Sequence, residues 1–491
     1  MKKNLFMVAA VALMALISCN KEEMNNGGNA QAPEAPKPSY YVEFTADIPA
    51  EEVASAPAPQ SAATRTAYDA TNKKTKWVAG DLISVNGKKF KIADGGLSAN
   101  GYSARFINAE ELGEDFNPPY TAIYPYNANK GQAVVPTTQT VSNGTFPDEA
   151  VVAVGYSANN TLSFKHVCSI VKFTVSTSGL TELEFSSAND IAGTINVSAN
   201  AGAEPTYSVK SGSGSQTITV KPANGTFSTS GTYYVSVLPT LGAAEDKQSF
   251  EIKSEGVVVK SGNVRFKRNV VMDAKAITVN YTYLKPNQNW KADGARFAAY
   301  YFIDEDTNAW ADCTDSDGDG LYRAVIPEGF SNIIFCRMNG DKSNPANVWE
   351  NKWDQTNDQT VSKDKCYVVH IEEWSNGAGG WFSLTDAKKI LYLLPTAEWD
   401  KDNARFAAYF FDSGTTWKSM TRFATNKYYV VKPGNHPKVI FCRMNGANAT
   451  NDWNNKWNQT VDLTVPTNGN NTCTISNFWA NGGASGTWSL K

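Results

Sequence analysis

Ile334-Phe335-Cys336-Arg337-Met338-Asn339-Gly340 returns further along the chain as Ile440-Phe441-Cys442-Arg443-Met444-Asn445-Gly446. Ile334, Cys336 and Met338 share one face of an extended segment, with Phe335 and Arg337 on the other, which is the period of a strand. Two further blocks recur in the same order. Arg296-Phe297-Ala298-Ala299-Tyr300-Tyr301-Phe302 returns as Arg405-Phe406-Ala407-Ala408-Tyr409-Phe410-Phe411. Trp349-Glu350-Asn351-Lys352-Trp353-Asp354-Gln355-Thr356 returns as Trp453-Asn454-Asn455-Lys456-Trp457-Asn458-Gln459-Thr460. The offset drifts between blocks, so insertions and deletions fall between them. Each unit is about 105 residues, the size of a small β-sandwich and too long for a solenoid repeat.

The rest of the chain reads the same way. After residue 40, Val, Thr, Tyr, Ile and Phe alternate with polar residues between Gly, Asn, Asp and Pro turns, which predicts an all-β protein of tandem β-sandwiches. At 491 residues the chain has room for three or four domains. Lys+Arg 45 against Asp+Glu 48 excludes a strongly basic nucleic-acid binder, so no nucleic-acid partner is expected. Hydrophobic residues make up 42%, enough to bury real cores. The 3 His (His166, His370, His436) lie far apart, which makes a His-rich metal cluster or His-pair catalysis hard to build. His166, in an alternating strand beside Phe164 and Cys168, reads as a core residue.

Composition divides the chain. Of 13 Trp, only Trp77 precedes residue 281. Residues 40–281 are rich in Ser, Thr, Val, Ala and Gly, and residues 282–491 in Trp, Asn and Lys. The expected organisation is 1–19 signal and lipobox, 20–39 flexible tether, sandwiches over 40–163 and 164–281, and repeat modules over 282–385 and 386–491.

At the N-terminus Lys2 and Lys3 precede an apolar run over 5–17, too short to span a membrane and suited to a secretory signal. Leu16-Ile17-Ser18-Cys19 resembles a bacterial lipobox, with Cys19 as the residue lipidated. Asn20-Lys21-Glu22-Glu23 resembles the export signal of Bacteroidetes surface lipoproteins. The expectation is an outer-membrane protein, lipid-anchored and facing the cell exterior.

Several segments of the first half, in order, resemble the fimbrillin family of Bacteroidales surface proteins. They are Trp77-Val78-Ala79-Gly80-Asp81, Tyr120-Thr121-Ala122-Ile123-Tyr124-Pro125-Tyr126, Phe164-Lys165-His166, Tyr234-Val235-Ser236-Val237-Leu238-Pro239 and Phe266-Lys267-Arg268-Asn269. The resemblance implies two transthyretin-like sandwiches over about 240 residues, and association with pilus subunits. It also implies a processing site near the N-terminus. Arg65, in a Pro/Ala-flanked segment, is either that site or a turn residue. The two appended modules depart from the pattern of a shaft subunit and favour a tip, accessory or stand-alone role.

The repeats carry the candidate chemistry. Six Trp-bearing places recur: Trp290/Trp399, Trp310/Trp417, Trp349/Trp453, Trp353/Trp457, Trp374/Trp479 and Trp381/Trp488. Cores this small do not need six Trp, so some should face solvent. Exposed rings beside amides and charges are what a sugar site requires, the ring stacking on pyranose C–H surface while polar groups bond the hydroxyls. One candidate platform is Trp349 with Lys352, Trp353 and Gln355, and Trp453 with Lys456, Trp457 and Gln459. The other is Trp290 with Tyr300, and Trp399 with Tyr409. The segment Trp-x5-Arg-Phe-Ala-Ala-Tyr resembles starch-binding modules of carbohydrate-binding family twenty-six, which implies α-glucan stacked on those early-strand aromatics. Cys336 with Cys366 and Cys442 with Cys473 recur at matched places, and read equally as one disulfide per module or as buried thiols. Asp315-Ser316-Asp317-Gly318-Asp319-Gly320 opens like a calcium loop, but Ile326 stands where a bidentate Glu belongs. A hairpin tip is the reading favoured there, and no cofactor is expected otherwise. No hydrolase, metalloprotease, phosphate-loop or dinucleotide motif is present. The expected function is a non-enzymatic surface protein binding polysaccharide or host glycan through its modules. The alternatives are a pilus-tip or accessory adhesin for host protein or glycan, and a glycosidase.

Overall fold

The computed structural model describes residues 42–47, 52–53, 67–69, 74–147, 150–199, 201–243, 245–341, 343–372, 375–476 and 483–491. Cys19, Arg65, Trp374 and Trp479 lie outside them. The regular structure is almost entirely strand, 52% against 5% helix, as the alternation requires. Among these residues no helix is long and apolar enough to cross a membrane.

The first body is a sheet that closes on itself rather than two facing sheets. Its order is Glu43–Asp47, Thr161–His166, Ala153–Ser157, Tyr120–Tyr124, Leu82–Val85, Lys88–Leu97 and Ser103–Asn108. Glu43–Asp47 completes the ring, pairing parallel with Thr161–His166 and antiparallel with Ser103–Asn108. Trp77 fills the centre. Its ring meets Phe106 at 5.0 Å and Tyr124 and Phe164 at 5.3 Å, and its Nε1 donates to the Ala46 carbonyl at 3.1 Å. The Gly80-Asp81 pair after it forms a turn. Gly80 adopts φ +95°, which a side chain would disfavour, and the buried Asp81 carboxylate accepts from Val78 N at 2.9 Å.

The second body sets three sheets around a core of Phe173, Phe185, Ile218 and Val235. Two of its strands come from early in the chain: Gln132–Val135 pairs with Ala192–Ser198, and Thr138–Val141 with Thr217–Pro222. The 163/164 boundary expected from sequence falls inside Thr161–His166, a strand of the barrel. Bodies interleaved in this way leave no single cut point between them.

Each C-terminal module is a two-sheet sandwich. In the first, Arg296–Phe302 and Asn332–Met338 form the centre of one sheet, flanked by Asn308–Cys313 and Lys352–Gln355. In the second, Arg405–Phe411 and Lys438–Met444 are flanked by Thr416–Ser419 and Lys456–Gln459 in matching register. The expected boundary at 282 also falls within a strand, Asn280–Lys285, whose Tyr281 and Leu284 join a core continuous with the second body. The two modules share a further core. Cys366, Val368 and Ile371 of the first pack with Ile390 and Tyr392 of the second, and Phe423 and Tyr429 close over them. His370 lies there with its ring 4.4 Å from Phe423 and 5.1 Å from Tyr429.

Burial holds the His166 and His370 imidazoles down to about 4 from 6.5, with Arg268 adding to the effect at His166. The native state therefore refuses protons that the unfolded chain accepts. Stability is complete above about pH 6.5 and falls as pH drops toward 4, by up to about 3 kcal/mol per His. Urea unfolding at about pH 7 and about pH 4.5 measures this. His370→Leu should remove much of the acid sensitivity of the modules, and an unchanged pH dependence would contradict the assignment.

Candidate functional site

The edge strands Lys352–Gln355 and Lys456–Gln459 build the site in the two modules. Each carries a bulge. Arg337 faces Asp354, but its neighbour Met338 faces Lys352, so Trp353 is an extra residue outside the ladder. In the second module Arg443 faces Asn458 and Met444 faces Lys456, which leaves Trp457 extra. A bulge turns its extra side chain out of the alternation.

Trp353 turns onto the sheet face occupied by Arg337. The guanidinium lies 4.6 Å from the Trp353 ring centroid, and that of Arg443 lies 4.7 Å from Trp457. Both cations are buried and fixed. Arg337 Nε donates to the Trp290 carbonyl at 2.9 Å, and its Nη2 donates to the Ala292 carbonyl at 2.7 Å and to Asp293 at 2.8 Å. Arg443 repeats this with the Trp399 and Lys401 carbonyls and Asp402. Each ring is thus backed by an immobile cation while remaining 45% (Trp353) or 42% (Trp457) exposed. A buried guanidinium against one face of an exposed indole leaves the opposite side to solvent, and the backing keeps its orientation fixed.

Trp349 does not join Trp353. Its ring packs with the opposite face of the sheet, 4.6 Å from Tyr300 and 5.1 Å from Trp310. Trp453 does the same at 4.8 Å from both Tyr409 and Trp417. The ammonium of Lys352 lies 4.8 Å from the Trp349 centroid and donates to the Gln355 amide oxygen; Lys456 lies 4.9 Å from Trp453 and donates to Gln459. Each module therefore has two aromatic surfaces on either side of one sheet edge. The first is the lone Arg-backed ring. The second is a packed trio of Tyr, Trp and Trp with a Lys above it.

Several expectations are corrected. Trp290 and Trp399 are fully buried, stacked on Phe297 and Phe406, so neither binds a ligand. The platform of Trp290 with Tyr300, and its copy Trp399 with Tyr409, does not exist as a surface. Tyr300 and Tyr409 instead form the floor under Trp349 and Trp453. Trp349 with Trp353, and Trp453 with Trp457, are not single platforms. Cys336, Cys366, Cys442 and Cys473 form no disulfides; with Cys168 and Cys313 they are free and buried. Cys336 faces outward beneath Tyr300, whereas Cys366 faces the core between the modules. Cys442 and Cys473 are likewise in separate clusters. Burial pushes these four thiols up to about 12, so they stay protonated.

Asp315, Asp317 and Asp319 bring their carboxylate oxygens within 4.8 Å of one another. Two of them serve the turn: Asp315 accepts from Gly320 N at 3.1 Å and Asp319 from Leu321 N at 2.8 Å. The Lys388 ammonium pairs with Asp319 and supplies a positive charge to the cluster.

Sequence reasoning missed Arg337 and Arg443 as supports and Trp310 and Trp417 as members of the trio. The signal for the arginines was present, since a charge recurs inside an otherwise apolar strand in both copies.

No family model matches the chain, and no curated protein matches it. Solved structures do. A candidate cell adhesion protein from Bacteroides ovatus is 14% identical, covering 49% of this chain and 93% of its own, with a TM-score of 0.25. Another from Bacteroides thetaiotaomicron is 17% identical, covering 48% and 91%, with a TM-score of 0.22. A fimbrial protein from Bacteroides ovatus is 12% identical, covering 50% and 52%, with a TM-score of 0.22. The likenesses are to bacterial adhesion and fimbrial proteins. At TM-scores this low, function has to follow from the site's own geometry.

Proposed function

We propose that this chain is a surface adhesin that holds glycan against Trp353 and Trp457. The observation that carries the reading is the duplicated exposed indole mounted on a buried guanidinium. A ring on the surface of a stable sandwich that contributes little to the core, backed by a guanidinium in two copies, suits stacking on a pyranose face. Lys352 and Gln355, and Lys456 and Gln459, provide donors and acceptors for hydroxyls at the same edge. The first two bodies act as a stalk. The lipobox-like segment at Cys19 supports anchoring of that stalk in the outer membrane, facing outward. The order of fimbrillin-like segments supports a tip or accessory place among pilus subunits. The starch-module likeness loses its Trp290 and Trp399 stacking residues, so α-glucan is one candidate among several sugars.

The test is binding of the full chain to a glycan panel, compared with Trp353→Ala/Trp457→Ala. Loss of one stacking ring should cost about 1–3 kcal/mol, or roughly ten- to a hundredfold in Kd, by analogy with stacking on nucleobases. The double variant should retain its thermal unfolding profile apart from the loss of two cation–π contacts to buried guanidiniums, about 1–2 kcal/mol each. Binding that survives in this variant, and is lost in Trp349→Ala/Trp453→Ala, would move the site to the aromatic trio. A wild type that binds no glycan would leave a protein ligand as the adhesin's target.

A further inference from the structure

The two copies of the site share their rings, their lysine and their buried arginine, but not their acids. Around the first, Asp312 lies opposite Ala298 beside the trio, Glu350 is exposed in the turn after Trp349, and Asp354 faces Arg337. The matching places in the second are Ser419, Asn454 and Asn458. One change runs the other way, with Asp452 in place of Val348. That carboxylate is engaged in capping, accepting from Asn455 N at 2.8 Å and from the Asn455 amide. Over these four places the second site carries two fewer negative charges than the first.

The local fields agree. Beneath the trio of the first module the buried Cys336 thiol lies near both Lys352 and Asp354, whereas beneath that of the second the buried Cys442 thiol lies near Lys456. Lys456 donates to Gln459 and lies over Trp453, and no carboxylate pairs with it among the described residues. Asn451, which in the first module corresponds to the Asn347 that donates to Asp312, here donates to the Ser419 hydroxyl at 3.0 Å.

We infer that the second module takes an anionic glycan, bearing carboxylate or sulfate, and the first a neutral one. This rests on the glycan reading above. A neutral sugar needs the ring and the amide, which both sites have. An acidic sugar also needs a cation with no acid beside it: Asp354 lies near Lys352, whereas Asn458 stands at the matching place beside Lys456. The anionic group would bond to the Lys456 ammonium on the trio side of the edge strand in a charge-assisted contact, while a neighbouring ring of the polymer, passing round that edge, stacks on Trp457.

Full-length protein with Trp353→Ala leaves the second site alone, and Trp457→Ala leaves the first alone. The probes are polygalacturonate for carboxylate, dextran sulfate for sulfate, and soluble starch and mannan as neutral polymers. The Trp353→Ala protein should bind at least one charged polymer, with affinity falling at least about tenfold between about 50 and 500 mM salt. The Trp457→Ala protein should not bind that polymer. Lys456→Gln should weaken the charged polymer about tenfold, as expected for loss of one charge-assisted bond. Asp312→Ser/Glu350→Asn/Asp354→Asn, added to Trp457→Ala, should create charged-polymer binding in the first module. Whether polygalacturonate or dextran sulfate responds identifies the anionic group. Equal preference in the two modules, or indifference to Lys456→Gln, overturns this inference and leaves the glycan reading standing. A wild type that binds none of the four polymers and nothing on the panel overturns both.

Discussion

Cutting the chain after Arg65 and removing the N-terminal piece will unfold the first barrel or leave it open for another strand. The piece contains Glu43–Asp47, which hydrogen-bonds on both sides to close the ring. It also contains Phe44 and Ala46, both fully buried, with the Phe44 ring 5.2 Å from Phe90 and 4.9 Å from Tyr120. Loss of the Phe44 side chain alone is worth about 3–5 kcal/mol, a large part of the roughly 5–15 kcal/mol that holds a domain folded. Loss of the strand also exposes two rows of unpaired backbone groups, which is the condition for β-augmentation by a second chain. The check is circular dichroism melting of the cut protein after the released piece has been separated. An early transition that disappears when a peptide of residues 42–48 is added back is the expected result. A melt identical to that of the intact chain would show that the strand is dispensable.

Trp290→Ala will destabilise the first module by about 3–5 kcal/mol, and Trp399→Ala will do the same to the second. Each indole is completely buried on a Phe, and its carbonyl accepts from the buried arginine. Truncation leaves a cavity beside Gly377, where a Cβ would already lie 2.5 Å from the Trp290 ring. It also loosens the main chain that holds Arg337. Binding should then fall because Trp353 loses its backing. Denaturant unfolding separates the two causes. Trp353→Ala should weaken binding with little change in unfolding midpoint, whereas Trp290→Ala should shift the midpoint strongly. Equal midpoints for the two variants would mean that the core assignment of Trp290 is wrong.

These contrasts mark how far the sequence could be read. The alternation in 334–339 predicted a strand with Ile334, Cys336 and Met338 on one face and Phe335 and Arg337 on the other, and Asn332–Met338 has that arrangement; which face meets the core was not legible and is set by the facing sheet. The repeat predicted two copies, and their ladders match residue for residue. The separation of Trp349 from Trp353 was not legible. A spacing of four suggests one surface only if the chain is regular, and the bulge at Trp353 breaks that regularity. Nor could the count of Trp say which ones were core, because Trp290 and Trp353 have similar neighbours in sequence and differ only in what folds over them. The barrel was hidden for a related reason: its closure joins Thr45 to Thr161 in parallel, a long-range contact that no local pattern encodes. Cysteine spacing was compatible with a disulfide, but the two cysteines of each pair sit in different sheets and in separate side-chain clusters.

The core shared by the modules has a mechanical consequence. Leu384–Ala387 leads into Ile390–Leu394 with hardly any chain between, and His370 of one module is clasped by Phe423 and Tyr429 of the other. Two sites on a loose tether would sample many separations, and any sufficiently long polymer would gain from them. Here the interval between the indoles is set by packed side chains, so the pair works as a fixed gauge. On the proposed glycan reading, a polymer whose repeat matches that interval would engage both rings without bending, provided it offers each module the sugar that module takes, while one out of phase would engage a single ring however long it is. Chain length alone would then be a poor predictor of grip, and the periodicity of the polysaccharide a good one.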